Sequence, residues 1–333
     1  MNHANISIFV PHKGCPNQCS FCNQKSIAST SFVPDGKFVE KECASALENF
    51  KGDTSHAQIA FFGGSFTAID RELMVQLLEA ANKYVGKDGF DSIRISTRPD
   101  CIDDEILNLL KKYNVRSIEL GAQSMNDETL LLNRRGHTSE DVITASKLVK
   151  QNGFELGLQM MVGLYGDTRE DAFITASKIA ELEPDTVRIY PTIVIKDTCL
   201  AELYTLGKYL PLTVDEAADI CAKLLDFFES RDINVIRLGL HDSETLKSDM
   251  IAGPYHPAFR ELCESKRIFQ RLIIAFTDLP KGDWKVYVAP SMVSKFVGHK
   301  KENILRLHKM GYNVRICADE KINGNSFITE RGN

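Results

Sequence analysis

Gln58-Ile59-Ala60-Phe61-Phe62-Gly63-Gly64 is a short apolar run closed by two glycines, and Asp70–Tyr84 follows it. In that second stretch Leu73, Leu77, Leu78 and Ala81 recur at the spacing of one helix face. Ile93–Ser96 is the next β-rich run. Strand, helix and strand make one crossover unit, and the alternation continues in both directions. Upstream, Ile6–Val10 reads as a strand and Phe38–Phe50 as a helix. Downstream, Ser117–Leu120, Glu155–Met161 and Thr186–Ile189 read as strands. Between them, helices are expected at Asp103–Tyr113, near Glu128–Leu132, at Ser139–Gln151 and at Thr168–Leu182, with Asn152-Gly153 as a helix stop. Six strand–helix units predict an α/β chain with a parallel sheet, either open and doubly wound or curled into a partial (β/α)6 barrel. In both, the strand C-termini form the active edge. Cys15–Cys22, Gly63-Gly64 and Gln123 all fall there.

Composition narrows the class. A chain of 333 residues suggests one large domain, or one large and one small. Its 43% hydrophobic and 26% charged content excludes a disordered or fibrous chain. No apolar run approaches the ~20 residues that span a bilayer. Met1–Val10 lacks the basic region, long apolar stretch and cleavage site of a signal peptide. A cytoplasmic location without membrane contact is therefore expected. Net charge is −5, which argues against a uniformly basic nucleic-acid binder.

Nine cysteines carry more information. Cys43, Cys101, Cys199, Cys221, Cys263 and Cys317 are scattered and read as small hydrophobes. Cys15, Cys19 and Cys22 crowd into Gly14-Cys15-Pro16-Asn17-Gln18-Cys19-Ser20-Phe21-Cys22-Asn23-Gln24. Three thiolates on one tight loop suit three corners of a cubane iron–sulfur cluster, leaving the fourth iron open. The alternative is a zinc site completed by His12.

That spacing, with Phe21 before the last cysteine, resembles the signature of radical S-adenosylmethionine enzymes. Gly63-Gly64-Ser65-Phe66-Thr67 stands where this superfamily has a glycine-rich motif for the methionyl amino group; glycine allows close backbone approach. The segments Gly14–Ser26, Gly63–Thr67, Ser96–Asp100 (STRPD), Glu119–Ser124 (ELGAQS), Asn133–His137 (NRRGH), Tyr190-Pro191-Thr192 and Asp197–Tyr209 together resemble the catalytic subunit of Elongator and its bacterial relatives. Oxygen-independent coproporphyrinogen oxidases share part of the pattern. The resemblance covers roughly residues 5–210. These 333 residues are not expected to hold Elongator's acetyltransferase domain as well, so its carboxymethyl-forming chemistry is not expected simply to transfer.

The resemblance implies a [4Fe–4S] cluster on Cys15, Cys19 and Cys22, and S-adenosyl-L-methionine held by Gly63, Gly64, Ser65, Gln123, Arg135 and Gln159. Reductive cleavage would give a 5′-deoxyadenosyl radical that takes hydrogen from a substrate, with an electron donor such as flavodoxin or ferredoxin. The cofactors carry that chemistry. Arg98 is either on the substrate side or in a helix-flanking salt bridge. His137 reads as a structural hydrogen bond, and Gly163–Gly166 as part of the rim. His256, in Gly253–Phe259 (GPYHPAF), is a surface residue or a substrate contact.

Composition changes after Pro191. A helix at Thr213–Ser230, a strand at Asn234–Leu238 and a loop with Gly253-Pro254 and Pro257 precede a small α+β unit. The expected division is a barrel over 1–210 and an extension over 211–333. Within the extension, Lys281–Arg315 holds eight Lys or Arg against two acids, net +6, so the remainder is −11. Its order is strand (Trp284–Ala289), helix (Ser291–Val297), turn (Gly298-His299-Lys300-Lys301), helix (Glu302–Met310) and strand (Tyr312–Cys317). That resembles the core of a KH module, whose G-x-x-G loop clamps nucleic-acid backbone, with Lys301 in place of the second glycine. Lys295, Gly298, Lys300, Lys301 and Arg306 are the candidate RNA contacts. The expected function is radical modification of RNA, tRNA in particular. The alternatives are a radical enzyme for a small metabolite or tetrapyrrole, a zinc-stabilised RNA-binding protein, and a basic hairpin that only caps the barrel.

Overall fold

The computed structural model describes residues 4–10, 15, 17–23, 32–50, 53–242 and 244–332. Seven strands form one sheet: β1 (Ala4–Val10), β2 (Ala57–Gly63), β3 (Ser92–Thr97), β4 (Val115–Gln123), β5 (Glu155–Val162), β6 (Thr186–Pro191) and a later strand, Asn234–Leu238. Each pairs in parallel with its neighbour, and their order in space follows their order in sequence. That order decides between the two sheet forms. A doubly wound sheet reverses direction at a switch point, whereas right-handed crossovers in constant sequence put every helix on one face and curl the sheet into a partial barrel.

The crossover helices are α1 (Gly36–Asn49), α2 (Arg71–Asn82), α3 (Asp104–Lys112), α4 (Asp127–Leu132), α5 (Ser139–Gln151) and α6 (Arg169–Glu181). Their starts are written in the sequence. Asp70 accepts from the Leu73 amide, and Thr138 with Asp141 and Thr168 with Asp171 form reciprocal capping boxes. Gly153, at φ +80°, carries the chain out of α5 in a conformation that a β-carbon disfavours.

Alternation along the strands separates the sheet's two faces. Ile59 and Phe61, Ile93 and Ile95, Ile118 and Leu120, Leu156 and Leu158, and Val187 and Ile189 share a core with Leu77, Leu78, Leu107, Leu110, Val142 and Ile179 of the helices. The intervening residues, among them Gln58, Arg94, Glu119, Gln159 and Arg188, line the concave side.

Beyond β6 come β7 (Val194–Ile195), α7 (Cys199–Thr205), α8 (Val214–Glu229) and β8, the Asn234–Leu238 strand that closes the sheet. The sheet thus runs past residue 210. Next are α9 (Glu244–Asp249) and β9 (Met250–Ala252), which pairs antiparallel with β7 beside the strand C-termini. The 18-residue helix α10 (Phe259–Phe276) was not among the expected elements. Its first turns place Phe259 and Cys263 in the barrel core, and its later turns place Ile268, Phe269, Leu272 and Phe276 in a second core.

That second core belongs to β10 (Gly282–Val288), α11 (Val293–Val297), α12 (Glu302–Lys309), β11 (Tyr312–Ala318) and β12 (Phe327–Arg331). β10 pairs parallel with β11 and antiparallel with β12. Trp284, Phe296, Leu307 and Tyr312 fill the space between sheet and helices. Among the described residues, no helix is long and apolar enough to cross a membrane.

Candidate active site

The cysteine segment lies over the strand C-termini and is tied down between its second and third cysteines. Ser20 donates its amide to the Asn133 carbonyl at 3.0 Å and its hydroxyl to Asn133 Oδ1 at 2.7 Å. The Ser20 carbonyl accepts from the Leu200 amide at 2.8 Å, at the start of α7. Asn133 is wholly buried, and its Nδ2 donates at 2.8 Å to both Thr129 O and Tyr165 O. Phe21 and Tyr165 pack on Val194, Leu200, Ala201 and Tyr209. One asparagine therefore couples the cysteine segment to α4 and to the turn after β5. Neither Ser20 nor Asn133 was singled out by motif spacing, although both lie inside the quoted motifs.

Arg135 stands beneath this segment. Its Nη1 donates to Cys19 Sγ at 3.1 Å and its Nη2 to Gly121 O at 2.7 Å. Gln123 reaches over the same glycine: a β-carbon on Gly121 would lie 2.9 Å from Gln123 Nε2 and 3.5 Å from Arg135 Nη2. Gln159 Nε2 donates to Gln123 Oε1 at 3.2 Å. Gln123 sits at φ +66°, just after a register shift in the β4–β5 ladder, an uncommon conformation for a residue with a side chain. Three of the expected cofactor residues thus converge beside Cys19.

The glycine-rich segment is built differently. Gly63, at φ +118°, lies so close to β1 that a β-carbon would meet Val10 O at 2.4 Å, and the Gly64 amide donates to Val10 O at 3.0 Å. Strand pairing alone requires glycine at 63. Ser65 is buried, bonded to Thr97 Oγ1 at 2.9 Å and accepting from the Arg98 amide at 3.1 Å. Arg98 forms the salt-bridge alternative: two bonds to Asp100 at 2.8 and 2.7 Å, and one to Arg135 O at 2.6 Å. His137 bonds Ala122 O through Nε2 at 3.2 Å. Burial, then the neighbouring Arg135 charge, pushes its pKa down to about 4, so the ring stays neutral at pH 7.

Around Cys19, Arg98 Nη1 and Arg135 Nε are buried without a hydrogen-bond partner among the described residues. A buried unpaired donor on a cation is costly, so this corner suits an anion.

Deeper in the barrel, Glu119 accepts from Arg94 Nη1 and Arg188 Nε, each at 2.7 Å, and from Ser96 Oγ at 3.0 Å. Arg188 also lies 5.3 Å from the centre of the Phe62 ring and 3.4 Å from Tyr190 Oη. Removing one member of such a buried ion network costs about 3–5 kcal/mol. Its signal was present in the sequence as polar residues at every second position of β3, β4 and β6. At the rim, Asp167 accepts from the Gly163 amide at 3.3 Å through one oxygen, while burial raises its pKa to about 7.

Comparison with known proteins places the chain. The Radical SAM superfamily model matches residues 9–178, and the Radical_SAM C-terminal domain matches residues 184–271. The chain belongs to the radical SAM superfamily. An uncharacterised protein of Methanocaldococcus jannaschii is 31% identical over 227 residues, which is 67% of this chain and 65% of that protein. The tRNA uridine(34) acetyltransferase of the same organism is 30% identical over 194 residues, 52% of this chain and 36% of the relative. The chain therefore spans less than two thirds of either relative. The structure of the archaeal Methanocaldococcus infernus Elp3 superposes with a TM-score of 0.62 at 21% identity, covering 83% of this chain and 64% of that one.

As a radical SAM protein, the chain is an iron–sulfur enzyme whose superfamily uses a [4Fe–4S] cluster and S-adenosylmethionine. The residues present suit these groups. A cysteine triad shares one segment, and the guanidinium that donates to its middle thiol has a buried Nε with no hydrogen-bond partner among the described residues. The zinc alternative gives way to the superfamily's cofactor, and His12, its proposed fourth ligand, lies outside the described residues. Cys15, Cys19 and Cys22 share the segment without their thiols being gathered at one point, since among the described residues no three His, Cys, Asp or Glu side chains converge as a metal site; the fit rests on donor type and spacing.

In this radical SAM chain the basic unit holds its candidate RNA contacts unequally. Lys295 pairs with Glu264. Arg306 lies 3.9 Å from the Phe269 ring centre and 3.6 Å from Glu302. Lys300 and Lys301 are exposed, on the turn that begins at Gly298, and have no ion-pair partner among the described residues.

Proposed function

We propose that this radical SAM enzyme modifies RNA, with tRNA as the substrate class. Cys15, Cys19 and Cys22 would hold the cluster. Arg135 would take the carboxylate of S-adenosylmethionine, and Gln123 and Gln159 would orient its adenosine half, with Gly63, Gly64 and Ser65 near the methionyl amino group. When bound, the cluster and S-adenosylmethionine supply one-electron cleavage chemistry and hydrogen-atom abstraction. A small electron-transfer protein of the flavodoxin or ferredoxin kind would deliver the electron.

The chain's own residues do the rest. Arg135 carries a permanent charge under a buried thiol, and its planar fork suits a carboxylate. Asn133 fixes the cysteine segment against α4 and the turn after β5, and the Leu200 amide ties Ser20 to α7, so that segment and sheet edge keep one geometry. In the Arg94–Glu119–Arg188 network two guanidinium groups share one carboxylate, so the barrel floor is polar and carries a net positive charge. Neutral His137 buttresses the turn that carries Arg135 and exchanges no proton at pH 7.

The observation that carries the cofactor reading is the convergence of Arg135, Gln123 and Gln159 beside Cys19. The RNA reading is supported by the net +6 unit on an otherwise acidic chain and by the tRNA-directed name of one relative. The test is anaerobic co-purification of bound RNA, followed by nucleoside mass spectrometry in cells with and without the gene. A nucleoside lost with the gene supports the proposal. Unchanged nucleosides together with an altered small metabolite would replace RNA by that metabolite.

A further inference from the structure

We infer that Lys300, Lys301, His299 and His256 form one continuous strip that carries the backbone of bound RNA from the basic turn to the rim of the barrel. The inference rests on RNA being the substrate. It adds where the RNA strand enters and which residues guide it.

The turn is rigid. Gly298 is at φ +82°, where a β-carbon would lie 2.9 Å from the Asn303 side chain. Asn303 is buried, and its Nδ2 donates to Ser265 Oγ at 3.0 Å and to Lys295 O and Phe296 O at 3.2 Å each. The Lys301 amide donates to Gly298 O at 3.1 Å. Lys300 and Lys301 follow at φ +48° and +63°, conformations that glycine or asparagine would adopt at lower cost. Long cationic side chains are thus held outward on a fixed frame. Lys295 and Arg306 already have acidic partners, so of the candidate contacts at this turn Lys300 and Lys301 carry the charge open to a polyanion.

The turn also touches the barrel side. The His299 ring meets His256 edge to face, with centroids 5.5 Å apart. His256 accepts from the Ala258 amide at Nδ1, 3.1 Å, so the neutral ring carries its proton on Nε2 and presents a donor. Three residues earlier, Gly253 packs on Ile193 and Thr192, just past the C-terminal end of β6. Three residues span at most about 11 Å. A barrel-rim loop and the basic turn therefore meet at two aromatic rings flanked by two lysines, the combination of stacking face and cation that single-stranded nucleic acid uses.

The experiment uses the full chain and fluorescently labelled bulk tRNA, with affinity measured across a salt series. The wild type should bind with a steep salt dependence. Lys300→Gln with Lys301→Gln should reduce the slope of log K against log salt by about 1 for each phosphate no longer neutralised. His256→Ala should weaken binding at least fivefold at every salt concentration, with His256→Phe restoring most of it through its ring. Thermal melting of each variant checks folding. No tRNA binding by the wild type at low salt would overturn the RNA reading and this inference with it. Wild-type binding that all the variants share, with the same slope, would overturn this strip alone. A lysine effect without a His256 effect would confine the RNA to the turn and also overturn the strip.

Discussion

Asn133→Ala should loosen the cysteine segment more than it loosens the fold. The change removes three side-chain hydrogen bonds, of 2.7, 2.8 and 2.8 Å, at a fully buried site. At about 1 kcal/mol each, the bonds sum to about 3 kcal/mol, and stranded partners such as Ser20 Oγ raise the total toward 5 kcal/mol if no water enters. If the segment swings away instead, the global loss is smaller and the cluster is lost more readily. A double-mutant cycle separates these effects. Ser20→Ala alone removes only the 2.7 Å bond and should cost about 1 kcal/mol, and the two changes together should be non-additive by a similar amount. Urea unfolding of the four metal-free proteins gives the coupling, and iron and sulfide content after anaerobic reconstitution gives cluster retention. Additivity within about 0.3 kcal/mol, with wild-type iron content in Asn133→Ala, would refute the role of this clamp.

Arg135→Ala should weaken S-adenosylmethionine binding ten- to hundredfold in cluster-loaded protein, the worth of a charge-assisted bond; equilibrium dialysis measures it. His137 has a folded pKa near 4 against an ordinary 6.5, so its stabilising contribution is present above pH 6.5 and lost as pH falls toward 4. The destabilisation should approach 1.4 kcal/mol per pH unit in that window and be absent in a folded His137→Gln variant, as read by denaturant titration. Asp167 has the opposite sense: its pKa near 7 against an ordinary 3.8 means that its contribution is full below pH 3.8 and is lost as pH rises toward 7. Asp167→Asn should change stability little at pH 4 and raise it by at least about 1–2 kcal/mol at pH 8, with melting curves at both values as the check.

Much of the barrel was legible because strand and helix periodicities differ and capping residues mark the helix starts. Ser139–Gln151 was legible to the residue, with the Asn152-Gly153 stop after it, and the structure adds the Thr138 cap ahead of it. The curl of the sheet followed only from the family resemblance and not from periodicity, because strand order is a long-range property: Asn234–Leu238 reads as a strand anywhere, and only pairing with β6 makes it the seventh of the sheet. Helix α10 carries Phe259, Cys263, Phe269, Leu272 and Phe276 on its buried face, but Pro254 and Pro257 just ahead give its start the pattern of a loop. At the site, the family resemblance named Gln123, Arg135 and Gln159, which the fold brings together. It was silent on Asn133, whose importance lies in contacts reaching back to Ser20 and forward to Tyr165. Charge counting marked the basic unit. It could not tell Lys295 and Arg306, which fold against Glu264, Phe269 and Glu302, from the two lysines left outward.

The most direct test is S-adenosylmethionine cleavage by the anaerobically reconstituted full chain with a low-potential reductant. Wild-type protein should form 5′-deoxyadenosine and methionine. Cys19→Ala, which removes the buried thiol 3.1 Å from Arg135, should form neither, while Cys317→Ala on β11 should match the wild type. A cluster-loaded wild type that leaves S-adenosylmethionine intact, or a Cys19→Ala protein that cleaves it at the wild-type rate, would contradict the account.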